Sequence, residues 1–431
     1  MRNWAGNVTF EPARLLEPES VAELQAAVAR SGRLRAIGTG HSFSALAATS
    51  GDLVSLARLP RTVEVDPSGT RVTVAAATTY AALSTRLEGE GRALANLGSL
   101  PHVSVAGACA TGTHGSGDRL GGLATAVLGL ELVRADGELV RVGAVGPGAP
   151  TGGTGGPGDH DELELAASVV SLGALGIVTS VTLAVEPSFA VRQAVYERVP
   201  LESALGRLDE LLASEYSVSI FTTWKEEVVD QVWCKHRVRP GEAWSPEPTL
   251  LGGRLATRPH HPVPGMDPAT CTDQLAEPGP WNERLPHFRV EHTPSSGDEL
   301  QSEYLVDRSD APDALAAVAG SAGALAPVVQ ISEIRSVAAD GLWLSPAYGR
   351  DSVAIHFTWV PDVRAVARAV ALVEDLLAPF RARPHWGKVF AVPAPVLSDR
   401  YERLADFSRL ADRIDPGHKL RNDFLDSVLT V

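Results

Sequence analysis

The sequence predicts an α+β fold in two domains, and three observations carry that prediction. Its 431 residues exceed what one ordinary hydrophobic core fills. Residues 1–186 read as short strands, hairpins and two helices, the pattern of a first α+β domain. After Pro187 longer helices alternate with longer strands, which predicts a second α+β domain with an antiparallel sheet over 187–390. A helical segment over 391–431 is expected to return to the first domain.

Pro18-Glu19-Ser20 caps a helix that runs through Ala29, and 34–37 follows as a short strand. Val63-Glu64-Val65 and Val72-Thr73-Val74 flank Pro67-Ser68-Gly69, a hairpin signal. Residues 80–87 are amphipathic with helical spacing. A second hairpin places Glu131-Leu132-Val133 and 139–142 around Asp136-Gly137. Residues 143–158 are rich in Gly, Pro and Thr, the composition of a disordered surface insertion. Residues 177–185 alternate as a strand. In the second domain, helices are expected over 201–212, 311–325 and 363–377. Strands are expected over 218–223, 229–234, 328–335 and 353–359. The proline-rich stretch 238–290 reads as a long irregular excursion. From about Val392 the chain is helical again and closes on Asp415-Pro416-Gly417-His418-Lys419. There is no internal repeat.

Composition narrows the function classes. Apolar content of 44% and charged content of 21% are those of a soluble globular protein. A net charge of −14 argues against nucleic acid or an anionic membrane as partner. No uncharged run approaches the ~20 residues of a membrane span. The start, Met1-Arg2-Asn3-Trp4-Ala5-Gly6-Asn7, has no apolar signal core. Cys109, Cys234 and Cys271 are odd in number and far apart, so they make neither a disulfide framework nor a zinc pattern, and a reducing cytoplasm is the expected setting. Arg heavily outnumbers Lys, which singles out Lys225, Lys235, Lys388 and Lys419.

The run Arg35-Ala36-Ile37-Gly38-Thr39-Gly40-His41-Ser42-Phe43 places a histidine at the tip of a glycine-hinged turn after an apolar strand. Glycines let the backbone come close to an anionic phosphate. A histidine there can reach a flat cofactor from its edge. A second loop, from Ser99-Leu100-Pro101-His102 to Ala110-Thr111-Gly112-Thr113-His114-Gly115-Ser116-Gly117, carries few long side chains after Val103. Small residues with exposed N–H groups and hydroxyls suit a pyrophosphate. Ser171-Leu172-Gly173-Ala174-Leu175-Gly176-Ile177-Val178 is a third close-packed element. None is the dinucleotide fingerprint, because Gly38-Thr39-Gly40 lacks the third glycine and no long helix plus acidic residue follows in register. Each loop alone is equally a tight turn; their combination and order are specific. His260-His261 have no carboxylate or cysteine at ligand spacing, so no metal site is expected.

Together these three loops resemble the FAD domain of the vanillyl-alcohol-oxidase superfamily. Asn3-Trp4-Ala5-Gly6-Asn7, Ser99-Leu100-Pro101-His102, Ser332-Glu333-Ile334-Arg335, Trp343-Leu344-Ser345-Pro346-Ala347-Tyr348-Gly349-Arg350, His356-Phe357-Thr358-Trp359 and His385-Trp386-Gly387-Lys388 resemble, more narrowly, the bacterial alditol oxidases. The resemblance covers nearly the whole chain apart from 143–158. It implies an FAD-binding first domain and a substrate-binding second one. It implies that His41 carries the 8α-methyl group of FAD on a ring nitrogen, with Ile37, Gly38, Thr39, Gly40, Ser42 and Phe43 around it. Ser99, Ser104, Gly107, Ala110, Thr111, Gly112, Thr113, His114, Gly115 and Val178 would complete the cofactor site. His114 is the competing attachment site, but in the family pattern it lines the cofactor without bonding to it. Some relatives attach the flavin through a cysteine as well. No cysteine stands at a matching place here, since Cys109 lies inside the small-residue loop, and single attachment is expected.

The substrate face follows from strand geometry. Side chains at i and i+2 share a face. Glu333 and Arg335 therefore project together, opposite Ile334, and His356 and Thr358 project together, opposite Ile355, Phe357 and Trp359. Two polar pairs on one sheet face can floor a pocket for a polyhydroxylated substrate; the plain alternative is an exposed face with an ordinary Glu–Arg pair. Lys388 stands where the second domain returns to the first, against the alternative of a solvated surface lysine. By resemblance, Ser99, Glu333, Arg335, Thr358 and Lys388 hold the alditol, and His356 is a neighbour in the same pocket. Arg335, Lys388 and His356 are the expected catalytic group. The two cations would hold the C1 oxygen and stabilise negative charge on the reduced flavin. The hydride would pass from C1 to flavin N5, with water or His356 taking the hydroxyl proton.

The resemblance thus implies an FAD-dependent oxidase that converts the terminal primary alcohol of an alditol such as xylitol or sorbitol to the aldose and reduces O2 to H2O2. A small-molecule polyol and O2 are the expected partners, and a monomer the expected state. Gly98, lacking a side chain, would leave oxygen a path. One rival is an aldonolactone oxidase or dehydrogenase of the same superfamily; the other is a non-redox flavin-binding or sugar-binding protein. Glu333 favours the alditol reading, because a lactone enzyme needs no carboxylate to grip open-chain hydroxyls.

Overall fold

The computed structural model describes residues 1–146, 163–292 and 299–429. From residue 147 on, the Gly-rich tract expected as a disordered insertion lies outside the described residues.

Two sheets build the first part of the chain. Leu34–Ile37 lies parallel to Asp52–Ser55, whose other edge takes Arg14–Leu16. Both expected hairpins form, Val63–Val65 with Arg71–Ala75 and Val127–Val133 with Leu139–Gly143. Ile177–Ala184 lies antiparallel between them and completes a five-stranded sheet. Val72, Val74, Leu130, Val181 and Leu183 turn into its core. Each such side chain contributes about 1.5–3 kcal/mol, and a slip by one residue would turn a strand's whole set outward. Val21–Arg30 starts at Ser20, whose Oγ accepts from Glu23 N, and Tyr80–Gly89 starts at Thr79, whose hydroxyl accepts from Ala82 N.

A large antiparallel sheet forms the second part. Its centre runs in the order Ala190–Pro200, Val228–Arg237, Ser217–Thr222, Val329–Val337, Ser352–Trp359, Leu300–Asp307. The first and last of these are not among the strands expected from sequence. Two expected helices are broken. Residues 201–212 form Leu201–Gly206 and Leu208–Leu212, interrupted at Arg207 (φ −128°, ψ 33°). Residues 311–325 form Ala311–Gly320 and Ala322–Leu325, interrupted at Ser321 (φ −107°, ψ 13°). Both breaks follow a glycine, which costs about 1 kcal/mol relative to alanine inside a helix. Val363–Leu377 forms as expected, with Asp362 Oδ1 accepting from Arg364 N and Ala365 N.

These helices cover the sheet face that carries Ile334, Ile355, Phe357 and Trp359. The 238–290 excursion roofs part of the other face, where Ala256 and Cys271 pack on Val195, Phe221, Trp233 and Ile331. It is less irregular than its prolines suggest. Thr249–Leu250 and Gly253–Leu255 extend the sheet beyond Ala190–Pro200, and Gly279–Pro280 pairs with the same strand.

The C-terminal helices Ala394–Arg400, Leu404–Ile414 and Asp423–Leu429 return to the core of the five-stranded sheet. Buried Arg35 ties this return together. It donates to the carbonyls of Leu46 (2.9 Å), Leu172 (2.6 Å), Gly173 (3.0 Å) and Leu420 (2.6 Å). Asn422 Nδ2 donates to the carbonyls of Ala45, Leu46 and Ala48.

Candidate active site

A cavity of about 380 Å³ lies between the loops of the first part and the bare part of the large sheet. Ile37, Gly38, Thr39, Gly40, His41, Ser42 and Phe43 line it, as do Ser104, Gly107, Ala110, Thr111, Thr113, His114 and Val178. Glu333, Arg335, His356 and Thr358 line it too, with Ser99 and Lys388. Gly112 and Gly115 are the exceptions among the sequence-predicted residues, and stand off the wall. Gly112 has φ +72° and a Cβ there would meet Pro346 Cδ at 2.9 Å. A Cβ on Gly115 would meet Asn96 Oδ1 at 2.2 Å and Leu97 O at 2.3 Å. Their smallness serves the packing of the loop itself. Gly98 lines the cavity, but a Cβ there would approach nothing closer than 3.8 Å, so the protein has room for a methyl group at that point.

The His41 loop is clamped from two sides. Gly40 turns with φ +71°, a conformation that favours glycine. On one side, Asn3 Nδ2 donates to Ser42 O (2.9 Å), Trp4 N to Gly40 O (2.8 Å) and Asn7 Nδ2 to Phe43 O (2.8 Å). On the other, Phe43 N donates to Gly387 O (2.7 Å) and Ser44 Oγ to Trp386 O (2.9 Å). The loop that carries His41 is therefore fastened to the segment that carries Lys388. The Trp4 ring lies 5.3 Å from the His41 ring. Burial, helped by His102, lowers the His41 imidazole to about 4, so it is neutral near pH 7 and keeps a free ring lone pair.

The two glycine loops meet where side chains would collide. A Cβ on Gly38 would fall 2.4 Å from Ser104 Oγ, and one on Gly107 2.8 Å from the same atom. Among the described residues, the backbone N–H groups of Thr39, Gly40, His41 and Ser42 donate to no protein acceptor. A groove kept open by missing side chains and lined by unspent donors fits the pyrophosphate of FAD.

The polar floor is a chain of buried charges. Glu333 and Arg335 share a face, as do His356 and Thr358, and register sets Glu303, His356 and Glu333 side by side on three neighbouring strands. Glu303 is central and only 1% exposed. Its Oε2 accepts from Lys388 Nζ (2.6 Å) and its Oε1 from Arg335 Nη2 (2.9 Å), with His114 Nε2 at 3.4 Å. Burial alone would raise the Glu303 carboxyl, but Lys388, His114 and Arg335 outweigh it and hold it well below the usual range. Arg335 Nη1 also donates to Ser99 Oγ (3.2 Å), which ties floor to loop. Lys388 Nζ donates to His356 Nδ1 (2.7 Å). Burial, with Lys388 beside it, keeps His356 far below its ordinary value, so the ring is neutral and its Nε2–H donates to Thr358 Oγ1 (3.0 Å). Burial lowers Lys388 as well, opposed chiefly by Glu303.

Glu333 has a second set of partners. Its Oε1 accepts from His287 Nε2 (2.7 Å), and His287 Nδ1 lies 3.1 Å from Lys235 Nζ. Burial would raise Glu333, but Arg335 and His287 reverse this and keep it ionised. Sequence reasoning missed Glu303, His287 and His385, all of which line the cavity. Glu303 had a usable signal: Leu300, Tyr304 and Val306 alternate into the core around it. His287 had none, because it comes from the irregular roof.

Among the described residues, no helix is long and apolar enough to cross a membrane. Residues 12–143 match the family model described as an FAD binding domain, and residues 297–428 match that described as D-arabinono-1,4-lactone oxidase. An alditol oxidase from Streptomyces sp. is 46% identical over 99% of this chain and 98% of its own length. An L-gulono-1,4-lactone dehydrogenase from Mycobacterium tuberculosis is 29% identical over 99% of this chain and 98% of its own. A cholesterol oxidase from B. sterolicum superposes with a TM-score of 0.76 at 15% identity, over 99% of this chain and 96% of that one, which shows a common fold.

Proposed function

Since the chain belongs to the alditol oxidase family of FAD-binding oxidoreductases, we propose that it oxidises the terminal primary alcohol of an alditol, of the xylitol or sorbitol kind, to the aldose. FAD, when bound, supplies the hydride acceptor and then returns the electrons to O2, giving H2O2. The observation that carries the substrate reading is the buried Arg335–Glu303–Lys388 array beside Glu333. Arg335 and Lys388 offer fixed donors to the oxygen at C1 and favour negative charge at the reacting end. Glu333, held ionised, accepts hydrogen bonds from hydroxyls further along the chain. Ser99 and Thr358 complete the grip. Because His356 Nε2–H donates to Thr358, the Thr358 hydroxyl hydrogen is free for substrate. His356 itself accepts from Lys388, so it orients that ammonium, and it takes a proton only if this bond opens.

His41 is the proposed attachment point of FAD. It is neutral, lies at the cavity wall, and its loop is clamped on both sides. His114, the competing site, has its backbone carbonyl 3.5 Å from Arg335 Nη1 and its Nε2 beside Glu303, which places it in the charge array. The lactone reading is weaker, because relatives of that name are 29% identical or less over comparable spans. The test is aerobic H2O2 release over a panel of alditols, short diols and aldonolactones. Turnover of lactones and of no polyol would overturn the alditol reading.

A further inference from the structure

Beside Glu333, a buried line of polar groups runs under the roof of the large sheet. Lys235 sits on Val228–Arg237 and is 1% exposed. Its Nζ donates to Leu285 O (2.5 Å), Pro286 O (3.2 Å) and His287 Nδ1 (3.1 Å). The three hydrogens of an ammonium thus meet three acceptors. An imidazole that accepts at Nδ1 carries its proton on Nε2, and His287 Nε2 points at Glu333 Oε1 (2.7 Å). Phe221 and Trp233 pack edge-on against the His287 ring at 5.5 and 5.2 Å.

We propose that Lys235 and His287 are positioning residues that aim and hold the Glu333 carboxylate, and so set the enzyme's preference for long over short polyols. The proposal rests on the reading of Glu333 as the acceptor of hydroxyls away from the reacting carbon. Lys235 fixes the His287 tautomer and, through the Leu285 and Pro286 carbonyls, the piece of roof that delivers it. His287 then occupies one lone pair of Glu333 Oε1 and leaves Oε2 for substrate; no hydrogen bond to Oε2 exists among the described residues. The charged and titratable groups facing Lys235 are Glu333 and Arg335, two strands away across Ser217–Thr222, and His287 and Cys271 from the roof. Burial drives Lys235 down to about 7, with Glu333 opposing, and burial lowers His287 to about 4. Below about pH 7 the line therefore reads ammonium, neutral imidazole, carboxylate.

The test uses FAD-loaded Lys235→Met, His287→Phe and the conservative His287→Gln, with flavin absorbance confirming the load. KM for a five- or six-carbon alditol is expected to rise about tenfold or more in the first two, the loss expected when a hydrogen bond to a charged group is removed. KM for 1,2-propanediol and kcat for both should stay near wild type. His287→Gln, whose amide can accept from Lys235 and donate to Glu333, should restore most of the long-alditol affinity. Equal loss for long and short substrates, or none, overturns the proposal. Histidine 15N NMR reads the same line whatever the substrate. The His287 ring should be the Nε2–H tautomer in the wild type; a ring protonated on Nδ1 also overturns the proposal. Failure of the wild type to oxidise any polyol would sink the alditol reading and leave the tautomer measurement standing.

Discussion

Replacing Glu303 by glutamine should disable the site while leaving its shape intact. The carboxylate accepts from Lys388 with one oxygen and from Arg335 with the other. A glutamine amide can turn its oxygen to only one of them. Its nitrogen, a donor, then faces the other cation, which loses its acceptor. Stripping a buried ion of its partner costs about 3–5 kcal/mol. If the whole of that loss falls on the reacting state the rate drops by about 10²–10⁴, and if half of it does, by about 10–10², since each 1.36 kcal/mol is tenfold. The sign of the pH effect follows as well. Burial lowers Lys388 and Glu303 is the leading charge that opposes it, so in Glu303→Gln the ammonium gives up its proton at lower pH. The protonated, active form lies below that point, and the alkaline fall in rate should therefore move to lower pH. Anaerobic stopped-flow reduction of the bound flavin at saturating alditol, across the neutral and alkaline range, measures both effects. A reduction rate within threefold of wild type at every pH would show that Glu303 does not hold the two cations in the reacting state.

His41→Ala should abolish covalent flavin, so that acid precipitation leaves the protein colourless while the wild type stays yellow; free flavin released from the wild type would refute attachment there. Glu333→Gln should raise KM for sorbitol about tenfold or more and spare 1,2-propanediol, whereas equal losses would make Glu333 a structural partner of Arg335. Lys388→Met should slow flavin reduction by about 10²–10³ with little change in flavin content, checked by stopped flow and absorbance. In the wild type, Lys235 with its value near 7 is charged below that pH and has only two hydrogens for three acceptors above it; KM for a long alditol should accordingly rise as pH passes upward through about 7, relative to KM for the short diol.

Local features were legible in the sequence. The glycine loops announce themselves as runs of small residues, and the pairs Glu333/Arg335 and His356/Thr358 follow from a period of two. What period cannot supply is which strand lies next to which. Glu303 reaches the centre of the site only because Leu300–Asp307 inserts beside Ser352–Trp359, a pairing set by tertiary packing. His287 arrives from a roof whose course is dictated by Lys235 and by contacts of Cys271 and Ala256 with the sheet. The long helices 201–212 and 311–325 were misread for a different reason. Their apolar spacing continues across Gly206 and Gly320, but the backbone does not. Gly112 and Gly115 look like cofactor contacts in one dimension and are packing glycines in three.

The fourfold grip of Arg35 has a consequence for how the molecule is made. Its guanidinium draws together Leu46, Leu172, Gly173 and Leu420, the last of them 385 positions away along the chain. Burial lowers this guanidinium to about 10, and its compensation is those four carbonyls. A nascent chain that stops short of Leu420 leaves one of its buried hydrogens without an acceptor, and leaves the Ala45–Ala48 turn, just after the His41 loop, without Asn422. The segments 35–48 and 420–422 must therefore meet before the cofactor groove has its final shape. Contacts of such separation form slowly, because loop closure precedes their reward. Flavin capture is expected only once the 420–422 segment has docked, and C-terminal truncation past Leu420 should cost the groove although every residue that lines it is still present.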